Sequence, residues 1–259
     1  MSLTQLYDFH GKTALITGAS GGLGEQFARC LSIRGARVIL ASRRIDKLND
    51  LAEELGNAKA ILLDVADKKS VFSCFTQLEK ANEKIDICIN NAGIAKSTAI
   101  FEEDQNGDFE LLIQTNLMGV WFVTKAAANY MKNHGIHGSI INIASVNGDC
   151  VPAKGGCAYS ISKAGVIHLT KTLVGELSLH KIRINCISPG LVRTPMTVHI
   201  LGTEQQQKEL ANFIPLGFIA NPQDLDSALL LLASNDHSTY ITGTNITIDG
   251  GISWGGKSC

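Results

Sequence analysis

The sequence predicts a doubly wound α/β fold: a parallel sheet with helices on both faces. Three observations carry this. Short apolar runs alternate with segments of helical period along most of the 259 residues. The runs are apolar throughout rather than at every second position, the mark of strands buried on both faces. No linker or composition shift interrupts the alternation, so one domain over residues 1–259 is expected.

Residues 12–17 (KTALIT) end at Gly18 and form the first strand. Residues 22–33 carry Leu23, Phe27, Ala28 and Leu31 at helical spacing. A strand over 37–41 is followed by a helix over 45–55, with Ile45, Leu48, Leu51, Ala52 and Leu55 on one face and Gly56 as its stop. Strand 60–63 leads to helix 68–81 and then strand 85–89. A long helix over 109–131 precedes strand 138–144. A second long helix over 159–179 precedes strand 182–187. Helix 225–233 and strand 245–248 complete a set of seven strands. Right-handed crossovers between such units give a doubly wound sheet.

Composition narrows the function classes. Basic and acidic side chains number 23 and 24, a net charge of −1, so no field attracts nucleic acid or an anionic membrane. No stretch reaches the roughly 18 uninterrupted apolar residues of a membrane span. Residues 1–10 lack a basic cluster followed by an apolar run, so no secretory signal is read there. The seven cysteines, Cys30, Cys74, Cys88, Cys150, Cys157, Cys186 and Cys259, form no CxxC pair and read as reduced thiols of a cytoplasmic protein. His134 and His137 lie around Gly135 in what reads as a polar turn, and no metal is expected. With 25 glycines, 5 prolines and no Gly-X-Y period, the glycines must serve particular backbone positions.

Four of those glycines fall in Gly18-Ala19-Ser20-Gly21-Gly22-Leu23-Gly24, between the first strand and the first helix. Backbone without side chains at a helix N-terminus lets a pyrophosphate approach unpaired N–H groups and the positive end of the dipole. The alternative is a glycine-rich turn with no ligand. The second strand ends at Ala41-Ser42-Arg43-Arg44, where an NAD site would place an acid and an NADP site an arginine. The planar fork of arginine suits a phosphate, although both arginines could instead solvate a loop. Asp64 follows the third strand and could accept from an adenine amino group or cap a helix.

Tyr159 and Lys163 are four apart, so they share one helix face at about 5–6 Å between Cβ atoms. A phenol with a pKa near 10 is a poor base at neutral pH, and a neighbouring ammonium stabilises its phenolate. Ser145 lies at the C-terminal end of the fifth strand, where ligands bind in open parallel sheets. Asn116 is polar inside a helix, either as a core amide or as part of a proton path.

Together these residues resemble the short-chain dehydrogenase/reductase family, in its single-domain branch of about 250 residues. The likeness rests on Thr17-Gly18-x-x-x-Gly22-x-Gly24, Asn90-Asn91-Ala92-Gly93, Asn116, Ser145, Tyr159-x-x-x-Lys163, Ser188-Pro189-Gly190 and Asp249-Gly250-Gly251, in the family's order. In character it is closest to 3-oxoacyl-[acyl-carrier-protein] reductases.

The resemblance implies a Rossmann fold and hydride exchange between a nicotinamide and a ketone or secondary alcohol. Tyr159 would be the general acid/base, and Ser145 would hydrogen-bond the substrate oxygen. Lys163 would lower the pKa of Tyr159 and hold the nicotinamide ribose. Asn116 would position a relay water. Gly18, Ser20, Gly21, Gly22, Leu23 and Gly24 would bind the phosphates, with Ser42 and Arg43 at the adenosine ribose. Asp64 and Val65 would meet adenine. Asn90, Asn91, Ala92 and Gly93 would follow the adenosine, and Pro189, Gly190, Val192 and Thr194 the nicotinamide half.

One departure bears on the cofactor. Many NADP-linked members carry a basic residue just before the second motif glycine, where this chain has Gly21. Arg43 alone is then expected to favour NADP(H) over NAD(H). A lid over 192–221 is expected, carrying Met196, Val198, Ile200, Leu201, Phe213, Ile214, Leu216 and Phe218. Val146, Asn147, Gly148, Cys150, Val151, Pro152, Cys157 and Ala158 are expected to line the substrate pocket. Competing readings are a non-catalytic dinucleotide-binding protein and an NAD-dependent hydroxysteroid or sugar-alcohol dehydrogenase. The expected partners are a small carbonyl or alcohol substrate and further copies of the chain, as a dimer or tetramer.

Overall fold

A computed structural model describes residues 7–101, 106–150 and 155–255. One sheet holds β1 (Thr13–Thr17), β2 (Arg37–Ser42), β3 (Ala58–Leu62), β4 (Ile87–Asn90), β5 (Ser139–Ile143), β6 (Arg183–Pro189) and β7 (Asn245–Ile248). All neighbours pair in parallel, in the order β3-β2-β1-β4-β5-β6-β7. The expected seven-stranded Rossmann fold is present.

Alternate side chains of each strand feed two cores. Ala14, Ile16, Val38 and Leu40 pack on Phe27 and Leu31 of α1 (Gly22–Ser32), Leu48 of α2 (Ile45–Leu55) and Leu229 of α10 (Asp226–Ala233). Leu15, Ile39, Cys88 and Ile140 pack on Phe75 of α3 (Lys68–Lys80) and Val123 of α5 (Gly119–Asn133). Every one of those strand residues is fully buried, which is why their runs are apolar rather than alternating. Gly56 closes α2 at φ +73°, a conformation that favours glycine. The Asp67 side chain caps α3 by accepting from the Lys69 N–H.

Two expected long helices are broken. The span 109–131 comprises α4 (Asp108–Ile113), a π-helical turn (Gln114–Met118) and α5. The extra residue of a π turn moves a side chain off the regular stripe, and here it carries Asn116. Flanking contacts hold the turn: Gln114 Nε2 donates to the Ala66 carbonyl, and a Cβ on Gly119 would lie 2.9 Å from Val65. The span 159–179 divides at Leu173 into α6 (Cys157–Thr172) and α7 (Val174–Ser178), next to the poor helix former Gly175.

Residues 192–221 leave the sheet and return to it. Val192 bridges Ala220, and between them lie α8 (Val198–Leu201) and α9 (Glu204–Ala211). Leu201, Ile214 and Ile219 form a small core of their own with Leu191 and Ile252. Part of this segment's apolar content is therefore internal packing.

Arg183 opens β6 as a buried cation. Its guanidinium donates to Asn235 Oδ1 at 2.7 Å and to the carbonyls of Leu232 and Ile241. Burial lowers its pKa, to about 10. Arg183→Ala would remove the charged donor from Asn235 Oδ1, while the Leu232 and Ile241 carbonyls keep the Ser139 hydroxyl and Asn185 Nδ2, and should cost about 2 kcal/mol in urea unfolding. A loss below about 1 kcal/mol would mean that water replaces the guanidinium.

Candidate active site

Strand order reverses between β1 and β4, and a crevice opens beyond the carboxyl ends of parallel strands at such a point. A cavity of about 560 Å³ lies there. Thr17 ties its floor together: the Thr17 hydroxyl accepts from the Asn91 and Ala92 N–H groups and donates to the Ile89 carbonyl. Asn91 Nδ2 donates to the Thr17 and Gly18 carbonyls.

The loop glycines divide into two kinds. A Cβ on Gly18 would lie 2.8 Å from Ala92 Cα, and one on Gly24 would lie 2.4 Å from the Gly18 carbonyl oxygen. Both are needed for the chain's own packing, and Gly24 does not reach the cavity wall. Gly21 and Gly22 do reach it, where side chains would project into the cavity. They begin α1, whose N-terminus has no side-chain cap. An uncapped N-terminus beside bare backbone fits a phosphate. Ser20 and Leu23 share that wall.

The adenosine end is more basic than expected. Arg43 lines it and is exposed. Arg44 does not simply solvate the loop: its Nε donates to Ser20 Oγ at 3.0 Å, and a second guanidinium nitrogen donates to the Ser20 carbonyl. A Cβ on Gly21 would sit 3.6 Å from that guanidinium. Arg44 therefore lies in van der Waals reach of the glycine loop at Gly21. Lys47, in the first turn of α2, also lines this end. Ser42 is buried and accepts from the Arg44 N–H. Glu25 is the acid nearby, and Arg29 holds it at 2.8 Å. Arg43 is thus not the sole cation at this end of the cavity. Lys47 was missed although it lies four residues beyond Arg43, which was the available signal.

Asp64 and Val65 line the next wall. Asp64 does not cap α3; its carboxylate accepts from the Ala66 N–H in a local turn. Asn90 is corrected as well. It is buried behind the cavity, and its Nδ2 donates to Thr124 Oγ1 and Asn142 Oδ1, both at 2.8 Å. Asn91, Ala92 and Gly93 remain on the wall.

At the other end Ser145, Tyr159 and Lys163 share the cavity with Pro189, Gly190, Val192 and Thr194. Strand β5 delivers Ser145, and the first turns of α6 deliver Tyr159 and Lys163. Gly148 fixes the two elements to each other: its Cβ would lie 2.4 Å from the Ala164 nitrogen. Lys163 Nζ donates to the Ile143 carbonyl at 2.8 Å and lies 5.6 Å from the Tyr159 ring centroid. Burial lowers the Lys163 pKa to about 8. Burial raises the Tyr159 pKa, and a hydrogen bond from Ser145 opposes that rise. Desolvation sets the direction for Tyr159, and the Lys163 ammonium faces its ring.

Asn116 is fully buried. Its Oδ1 accepts from the Ile94 N–H, and its Nδ2 donates to the Ile94 carbonyl and to Ser162 Oγ. It approaches Lys163 only across Gly93, whose Cβ would lie 3.2 Å from Asn116 Oδ1 and 3.6 Å from Lys163 Nζ.

The expected substrate wall changes. Val146 is buried, and Cys150 and Cys157 are exposed. Ile94 and Met196 line the cavity beside Ser145 and Tyr159. Val151 and Pro152 lie outside the described residues, as does Cys259. Cys30, Cys74, Cys88 and Cys186 are buried, and burial raises each to about 12. Among the described residues no helix is long and apolar enough to cross a membrane.

This fold and this cavity define an oxidoreductase that uses a nicotinamide dinucleotide, and the chain belongs to the short-chain dehydrogenase/reductase family. The family model described as enoyl-(acyl carrier protein) reductase matches residues 18–253. The chain is 40% identical over 252 residues to the oxidoreductase UcpA of Salmonella typhimurium, covering 93% of this chain and 94% of that one. It is 36% identical over 246 residues to the 3-oxoacyl-[acyl-carrier-protein] reductase FabG of Thermotoga maritima, covering 93% and 98%. A gluconate 5-dehydrogenase from Burkholderia cenocepacia, solved with NADP and tartrate, superposes with a TM-score of 0.90 at 29% identity, over 96% of this chain and 98% of that one.

Proposed function

We propose that this chain is an NADP(H)-dependent oxidoreductase that interconverts a ketone and its secondary alcohol. One observation carries the reading: a single cavity joins Arg43, Arg44 and Lys47 at one end to Ser145, Tyr159 and Lys163 at the other. A bound nicotinamide dinucleotide supplies or accepts the hydride. Tyr159 donates the proton that the carbonyl oxygen needs and recovers it in the reverse direction. Ser145 hydrogen-bonds that oxygen as charge develops. The Lys163 ammonium stabilises the Tyr159 phenolate through the ring face. Asn116 holds the backbone beside Lys163 and positions a relay water.

The preference for NADP(H) over NAD(H) is supported by three cations at the adenosine end and by the NADP in the Burkholderia relative. Arg44→Ala should weaken NADPH binding about ten- to hundredfold, as expected for a hydrogen bond to a charged group, and leave NADH within about threefold. Isothermal titration checks this, and an equal loss for both cofactors would reduce Arg44 to a loop support.

Ile94 and Met196 make the substrate wall apolar, and the likeness to a 3-oxoacyl reductase supports an elongated ketone or 3-oxoacyl thioester. Residues 192–221 act as the lid, presenting Met196 to the cavity in a chain that forms one domain. Exposed Phe109, Leu111, Ile161 and Trp254 support assembly into a dimer or tetramer. The buried thiols fit a reducing, cytoplasmic compartment. A panel of acetoacetyl-CoA, apolar ketones and keto-sugar acids with NADPH tests the reading. Turnover of none would leave a dinucleotide-binding module.

A further inference from the structure

We propose that the Asn147 side-chain amide sets the direction of the Ser145 hydroxyl proton, and so controls how strongly Ser145 donates to the substrate oxygen. The inference rests on the oxidoreductase reading above. Ser145 caps the 3-10 turn Val146–Gly148. Its Oγ accepts from the Asn147 backbone N–H at 3.2 Å, and its hydroxyl donates to Asn147 Oδ1 at 3.1 Å. The hydroxyl therefore lies between the two amides of one residue. A serine has one proton to give. Here that proton has three claimants: Asn147 Oδ1, the Tyr159 oxygen and the substrate oxygen.

The turn cannot shift to release the proton, because Gly148 already meets the backbone of α6. The Asn147 amide can rotate. It is half-buried, and its terminal torsion is broad and nearly two-fold. Oxygen and nitrogen occupy almost the same volume, so rotation leaves packing unchanged. The rotated amide offers an N–H to Ser145 Oγ and frees the hydroxyl proton. A donor that itself receives a hydrogen bond is a stronger donor. Asn147 is thus a positioning residue that acts through Ser145.

Asn147→Asp separates this role from simple support. The shape is kept, but an ionised carboxylate can only accept. The titratable groups linked to this turn are Tyr159, which Ser145 hydrogen-bonds, Lys163 beside the Tyr159 ring, Asp149 and Cys150 immediately after the turn, and Asp249 near Cys150. With NADPH and 9,10-phenanthrenequinone as the probe, kcat should fall about tenfold or more, in the range for losing one oxyanion donor. KM should stay within about threefold, and kcat should recover as pH falls and the carboxyl regains a proton. Asn147→Ala should lose less than Asn147→Asp and show no such recovery. Equal losses in both variants without pH dependence would overturn the proposal.

A second readout needs no turnover. The ultraviolet phenolate band of Tyr159, identified by its loss in Tyr159→Phe, should titrate at higher pH in Asn147→Asp than in the parent. An unshifted band would overturn the proposal. A parent that leaves the quinone unreduced would count against the functional reading, while the titration would still decide the role of Asn147.

Discussion

Tyr159→Phe should abolish carbonyl reduction while leaving NADPH binding within about twofold. The expected loss in kcat is about 10²–10⁴-fold, the usual contribution of a positioned general acid. The substitution removes one oxygen and keeps the ring, so the packing of Tyr159 under the Lys163 ammonium is preserved. Ser145 remains in place because its turn is held by Gly148 against α6 rather than by Tyr159. Stopped-flow reduction and NADPH fluorescence titration measure the two quantities separately. Substantial turnover in the variant would move the proton to another group, and none of comparable placement lines that end of the cavity among the described residues.

Lys163→Met should also cost about 10²-fold or more in kcat, and it should remove a limb of the pH profile. Burial holds the ammonium pKa near 8, below its ordinary value of 10.5. Charged Lys163 is present below about pH 8, so ketone reduction in the parent should decline as pH rises through that value. The effect on stability has the opposite sign. A lysine whose folded pKa is depressed costs stability where it is charged in both states, and the cost is relieved as pH rises from about 8 to 10.5. The gap between about 8 and 10.5 corresponds to about 3 kcal/mol, partly offset by the hydrogen bond to the Ile143 carbonyl. Lys163→Met should therefore melt above the parent at pH 7, with an advantage that shrinks toward pH 10. A Tm below the parent's at pH 7 would mean that the ammonium holds β5 to α6 more than its burial costs.

Most of the fold was legible because the central strands are buried on both faces and read as short apolar runs, whereas the edge strands β3 and β7 are only partly buried. Strand β7 was located to the residue, and the other strands to within two or three positions. The π turn was not legible. One inserted residue barely disturbs a 3.6 period over a long helix, and only the polar run Gln114-Thr115-Asn116 marked the place. The division at Leu173 left an equally faint trace.

The site was legible where chemistry demands a residue type and less so where space decides. Tyr159, Lys163 and Ser145 follow from acid–base and strand-end arguments. Gly24 reads as a phosphate contact, yet it is glycine because the Gly18 carbonyl lies against it. Asn90 looks like a cofactor contact from its motif, but strand β4 turns it into the core toward Thr124 and Asn142. Arg44 could be read from the sequence as a phosphate contact or as a cation solvating its loop. Its guanidinium is held by Ser20 of the glycine loop, a relation between positions far apart in sequence.

The most direct test is reduction of one ketone substrate by the unmodified protein with NADPH and NADH in parallel. The account predicts a kcat/KM at least about tenfold higher with NADPH, the size of one charged phosphate contact. Equal or better kcat/KM with NADH would contradict it.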